Sequence, residues 1–164
     1  MGTRIEYVVG DATAPQAAGQ GHAGHAVVAH VCNDAGGWGR GFVLGLSRRW
    51  PQPEAAYRSW YAARPGSGFA LGAVQLVAVQ EGVSVANMIG QHGYRRSAAG
   101  PPVRYEAIET ALAELRGHAE RLGASVHMPR IGCGLAGGRW ELVEPLVTAQ
   151  LTDRGVPVRV YDLP

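Results

Sequence analysis

Lysine is absent. All 15 basic residues of this 164-residue chain are arginines, which excludes every chemistry that needs an ammonium group: Schiff-base formation, a phosphate-binding P-loop lysine and an attacking lysine amine. Arginine does not fill the gap, because its guanidinium stays protonated near neutral pH and serves as neither nucleophile nor base. Cysteine is scarce as well. Cys32 and Cys133 stand about a hundred positions apart without CxxC spacing, each in an apolar or glycine-rich run, and read as reduced, buried thiols. The six histidines show no HExxH or Cys–His metal spacing, and His22 and His25 fall in a Gly/Ala-rich stretch that reads as a solvated loop. No apolar run reaches the length of a membrane span, and the first residues carry no signal-type apolar segment. The expectation is a cytoplasmic monomer with no metal or other cofactor and no membrane partner.

Charge is also sparse, at 17% of residues with a formal net charge of +2. So even a balance leaves no footprint for nonspecific nucleic-acid binding. Hydrophobic residues make up 46% of the chain, enough for a packed core and too many for intrinsic disorder. The length suits one domain.

Strand-like and helix-like patterns alternate. Residues 4–9 form a short β-branched run ended by Gly10-Asp11, and residues 26–32 (AVVAHVC) form a near-continuous apolar run, as for a strand buried on both faces. Residues 42–50 read as a helix stopped by Pro51, followed by a second helix over 53–63. Residues 73–79 and 83–89 read as neighbouring strands turning at Gln80-Glu81-Gly82. Residues 105–122 give the clearest helix, with Ile108, Leu112, Leu115, Ala119 and Leu122 on one apolar stripe and Gly123 as the stop. A strand into a loop over 126–131, a helix over 140–151 and a strand over 156–161 complete the chain. This order predicts a three-layer α/β/α domain with a mixed, largely parallel central sheet.

Glycine is plentiful, at 24 residues, and two clusters stand out: Gly36-Gly37-Trp38-Gly39-Arg40-Gly41 and Gly132-Cys133-Gly134-Leu135-Ala136-Gly137-Gly138. Each follows an expected strand and precedes an expected helix. Glycine there lets backbone N–H groups turn towards an anion, and the helix N-terminus behind adds favourable partial charge. Two such loops on one sheet suit a diphosphate held from both sides, although they would also serve as plain turns. Neither matches GxxxxGK[ST], nor GxGxxG with a downstream ribose acid.

The segments Val9-Gly10-Asp11, His30-Val31-Cys32-Asn33 leading into GGWGRGF, and MPRIGCGL (residues 128–135) followed by Trp140-Glu141 resemble a macro domain. The resemblance is nearest to the branch holding the terminal ADP-ribose–protein glycohydrolase and the ADP-ribose-1″-phosphate phosphatases. It implies ADP-ribose and ADP-ribosylated proteins as partners. Asp11, with Ala12, would meet the adenine amino group; its other reading is a turn acid. Gly37, Trp38, Gly39, Arg40, Gly41 and Phe42 would wrap the distal ribose and a phosphate. Ile131, Gly132, Cys133, Gly134, Leu135, Ala136 and Gly137 would bind phosphates through backbone amides. Tyr161 falls either beside the adenine or in the core, and Trp38 is either a gate or a packing residue.

Two departures bear on chemistry. Gln91 stands where the glycohydrolase has its attacking lysine, and Ala136 and Gly137 stand where an aspartate follows its second loop. Hydrolysis of an ADP-ribosyl ester would then need an activated water, with Asn33, Asp34, Gln91 and His92 as the groups to hold it. Imidazole as a side-chain type suits a general base; a solvated loop histidine is the alternative. Arg95 and Arg96 would meet an acidic substrate protein or a phosphate, or simply lie in solvent. The resemblance leaves three functions: hydrolysis of mono-ADP-ribose from acidic side chains, non-catalytic recognition of ADP-ribose, and dephosphorylation of ADP-ribose 1″-phosphate.

Overall fold

The long apolar run forms a strand at the centre of the sheet. The computed structural model describes residues 4–15 and 24–164, so His22 lies outside the described residues. Its elements are β1 (Glu6–Val9), β2 (Ala26–Asn33), α1 (Phe42–Arg49), α2 (Gln52–Ala62), β3 (Val74–Gln80), β4 (Val83–Gln91), α3 (Tyr105–Leu122), β5 (Ser125–Met128), α4 (Trp140–Gln150) and β6 (Val158–Asp162). The strand order is β1-β6-β5-β2-β4-β3. Every neighbouring pair is parallel except β3 and β4. The expected mixed, largely parallel sheet is therefore present, and no described helix is long and apolar enough to cross a membrane.

Apolar cores on both faces make three layers. One core packs α3 and α4 on the sheet, with Ile108, Leu112, Leu115, Val143 and Val147 buried. The other packs α1 and α2 through Leu46, Trp50 and Tyr57. Leu122 departs from the expected stripe: it is 38% exposed, because α3 ends there and Gly123, at φ 61°, turns the chain away.

This topology positions the site. β1, β2, β4, β5 and β6 run in one direction, so their carboxyl ends share one edge of the sheet. Adjacent strands β2 and β5 then send the chain to opposite faces, into α1 and α4 respectively. A crevice opens where connections diverge in this way.

Candidate functional site

Side chains lash the first glycine-rich loop to the end of β2. Asn33 Nδ2 donates to the Gly37 carbonyl at 2.8 Å, and its Oδ1 accepts from Ala35 N (2.9 Å) and Gly37 N (3.1 Å). The buried Tyr57 hydroxyl donates to the Asn33 carbonyl (2.7 Å) and Oδ1 (2.9 Å) and accepts from Gly36 N (3.1 Å). Burial pushes the Tyr57 phenol well above its ordinary range, so it remains a donor. Trp38 is buried: its Nε1 donates to Ser47 Oγ (2.8 Å) and its ring meets His30 edge-on, so it packs the loop down.

Beneath this loop lies a buried polar pair. His30 Nε2 donates to Asn87 Oδ1 at 2.6 Å, since the Asn87 amide nitrogen is spent on Pro53 O and Gln75 Oε1. Burial lowers the His30 pKa to about 4, partly countered by the Asn87 bond, so the ring is neutral near pH 7. Cys32, beside it, is buried, and desolvation raises its thiol pKa. Cys133 departs from the expectation of burial: it is half-buried, because its loop leaves the sheet edge, and its Sγ donates to Ile131 O at 3.3 Å.

The two loops form the walls of a crevice with two adjoining lobes that share Val31, Arg40, Val43, Gln91 and Leu135. One lobe, about 380 Å³, is lined by Gly41, Phe42 and His30 on one side and by Arg130, Ile131, Gly132, Gly134 and Ala136 on the other. The second lobe, about 440 Å³, reaches the end of β2 at Asn33 and the first loop at Gly37, Trp38 and Gly39, with Tyr94 and Arg95 at its border. Both sizes suit small-molecule sites. No aspartate or glutamate lines either lobe among the described residues. Arg130 is held beside the crevice by Asp162, through bonds of 2.7 and 3.0 Å that raise the arginine's pKa and depress the carboxyl's.

Other expected site residues lie outside these walls. Asp11 is exposed, and its Oδ1 accepts from Thr13 N and Oγ1, both at 2.8 Å, which makes a turn after β1. Ala12 is buried in that turn, Gly137 braces its own loop through a bond to Gly134 O, and Tyr161 is buried with its hydroxyl 2.7 Å from His127 Nδ1. Burial raises the Tyr161 pKa to about 12. Asp34 and His92 meet each other: His92 Nδ1 donates to Asp34 Oδ2 at 2.7 Å, and Gly93 N donates to Oδ1 at 2.8 Å. They flank the crevice-lining Asn33 and Gln91 without lining it themselves. Gln91 Nε2 donates to Gly93 O at 3.0 Å, leaving Oε1 without a hydrogen bond among the described residues.

The sequence reading missed Tyr57 and Tyr94. Tyr94 lays its ring on Gly37 and donates to Ala35 O at 3.1 Å. Nothing local marks either tyrosine, because each acts on a loop twenty or more positions away.

A ligand crevice at the carboxyl edge, in an α/β/α sandwich of this strand order, defines a class of protein. No protein-family model matches the chain. A macrodomain protein from Streptomyces coelicolor is 58% identical, over 97% of this chain and 99% of that one, at a TM-score of 0.84. The chain belongs to the macro domain family. It is also similar to Chromodomain-helicase-DNA-binding protein 1-like of Mus musculus, 32% identical over 170 residues; the match covers 99% of this chain but only 18% of that protein. Thermosipho africanus DarTG, in complex with ADP-ribose, shares the fold at 19% identity and a TM-score of 0.68, over 84% of this chain and 38% of that one.

Proposed function

We propose that the crevice binds ADP-ribose and that the protein releases it from modified acidic side chains of other proteins by attack of water at C1″ of the distal ribose. One observation carries the reading: two glycine-rich loops face each other across a crevice that has Arg40 and Arg130 and no carboxylate on its walls. Such walls suit a diphosphate, because backbone amides and the Arg130 guanidinium attract it and no carboxylate lines them, Asp162 holding Arg130 from outside. Gly41, the N-cap of α1, offers no side-chain cap; its carbonyl takes Leu44 N at 3.1 Å, which leaves the Phe42 and Val43 amides of the first turn open to an anion. DarTG, a protein of the same fold, binds ADP-ribose. On this reading Asp11 and Ala12 meet the adenine, Asn33 shapes the loop at the distal ribose, and Cys133 and Gly137 lie on the phosphate-binding loop.

The chemistry proceeds without a protein nucleophile. Gln91 Oε1 accepts a hydrogen bond from a water in the second lobe and orients it. The water oxygen bonds to C1″ while the C1″–O bond to the acidic side chain breaks. The electron pair leaves with the carboxylate, which needs no protonation. The water's proton passes through a further water to His92 Nε2 beside the lobe, whose ring Asp34 holds from the other nitrogen, and then to bulk solvent. This is the outcome reached by the terminal ADP-ribose–protein glycohydrolase, with Gln91 and Ala136 in place of its lysine and aspartate.

A second reading, recognition without turnover, is favoured by the spent amide of Asn33 and by the place of Asp34 and His92 beside the walls rather than on them. Incubation with glutamate-ADP-ribosylated protein, and separately with ADP-ribose 1″-phosphate, distinguishes these readings. Release of ADP-ribose from the first supports the hydrolase. Phosphate from the second substrate alone makes the chain a phosphatase, and binding without product makes it a reader.

A further inference from the structure

We propose that the rim of the second lobe reads the polypeptide as well as the nucleotide, with Arg40, Arg95 and Arg96 binding carboxylates that flank the modified residue. The inference rests on the reading above, in which that lobe holds the distal ribose and the ester. Most described arginines are engaged: Arg58, Arg130, Arg139 and Arg159 with carboxylates, and Arg49, Arg64 and Arg104 with carbonyls. Arg40, Arg95 and Arg96 are exposed and make no hydrogen bond or ion pair among the described residues. Arg40 and Arg95 line the second lobe and Arg96 directly follows Arg95 in the chain, whereas Arg4, Arg48 and Arg154, equally unengaged, neither line a lobe nor adjoin a lining residue.

The rim arginines are carried on a built support. Tyr94 clamps the segment to the first loop through Gly37 and Ala35, and reciprocal backbone bonds of 2.9 Å between Ser97 and Gly100 close the turn behind Arg96. Arg40 and Arg95 border the same lobe from opposite segments. Asp34, beside the crevice at the end of β2, has both oxygens engaged by His92 and Gly93. The guanidinium groups therefore await an outside acceptor, and their planar fork matches a carboxylate. Three arginines on a chain of net charge +2 are too few for the phosphate tracking that nucleic-acid binding needs, so an acidic peptide is the better fit.

The test uses one peptide carrying a glutamate-linked ADP-ribose, flanked by glutamates or by glutamines. kcat/KM, or Kd where there is no turnover, is compared at low and high salt, with free ADP-ribose titrated in parallel. The glutamate-flanked peptide should be preferred about three- to tenfold at low salt, the range of a few exposed ion pairs, and high salt should erase the preference. Arg95→Gln with Arg96→Gln should abolish it, and Arg95→Glu with Arg96→Glu should turn it towards lysine-flanked peptide. Equal use of both peptides by a protein that binds free ADP-ribose overturns the rim assignment alone. Failure to bind free ADP-ribose overturns the crevice reading beneath it. Displacement of the acidic peptide by a single-stranded oligonucleotide more readily than by polyglutamate of equal charge also overturns the carboxylate assignment.

Discussion

The two loops face one another across a single crevice but are held by opposite means. The first is held by side chains: Tyr57 and Tyr94 reach in from distant elements, Asn33 from the end of β2, and the loop's own Trp38 anchors on Ser47. The second is held by its own backbone, packed so closely that a Cβ on Gly138 would meet a backbone carbonyl, whereas on Gly36 or Gly37 of the first loop it would meet a tyrosine ring. Gly138 N donates to Gly132 O at 2.8 Å and Gly137 N to Gly134 O at 3.0 Å, while Val103 N ties Ala136 O at 3.0 Å. Gly132 adopts φ 73°, and a Cβ on it would stand 2.9 Å from Ile108 Cδ1. A polar tether can be weakened one bond at a time, whereas a steric requirement is met or violated whole.

The sharpest break of this contrast is Gly138→Ala. Its Cβ would run into the backbone carbonyl of Gly132, which no side-chain rotation relieves. A stability loss of about 3 kcal/mol is expected, with ADP-ribose binding lost; thermal unfolding and calorimetry check both. Gly39→Ala in the first loop is the control. A Cβ there meets nothing within 4 Å, so stability should hold within about 0.5 kcal/mol.

Acid should loosen the first loop selectively. His30, beneath that loop, has its pKa lowered by burial to about 4, against about 6.5 in the unfolded chain. Between these values the unfolded state binds the proton that the folded state refuses, so stability is full above pH 6.5 and falls as the pH drops to 4. The loss from this one ring is about 3 kcal/mol by the end of that window. Hydrogen exchange at residues 36–41 should rise through it before exchange at residues 132–138 does. Equal protection in both loops at pH 4 would break the comparison.

Tyr57→Phe removes a donor to Asn33 and an acceptor for Gly36 N in one atom. A cost of about 1–2 kcal/mol in denaturant unfolding is expected, with weaker ADP-ribose binding and the second loop unchanged in exchange protection.

The same contrast explains what the sequence made legible. Period and run length placed the six strands and four α-helices of the described residues, because β2 is apolar on both faces and α3 keeps its stripe over several turns. The second loop was legible as a block of glycines, since its constraints are local and only glycine meets them. The first was legible only in its glycines. Its tethers come from Tyr57 on α2 and Tyr94 beyond β4, which fold onto it from distant positions. Asp34 and His92 were picked out separately for their chemistry, yet their pairing depends on β2 and β4 ending side by side with a register shift after Cys32 that sets Asn33 opposite Gln91.

The smallest expected effect falls where the loops touch. Leu135, 64% exposed, reaches across from the second loop, with Cδ1 3.6 Å from where a Cβ on Gly41 would sit. So exposed an apolar side chain contributes little to stability, and Leu135→Ala should cost under about 0.5 kcal/mol. Its place across both lobes gives it a different role, slowing the escape of a ligand already seated beneath it. ADP-ribose dissociation measured by stopped flow should therefore quicken several-fold while association changes little. If association changed instead, the contact would be shaping the empty crevice, and the two loops would be one mechanical unit rather than two.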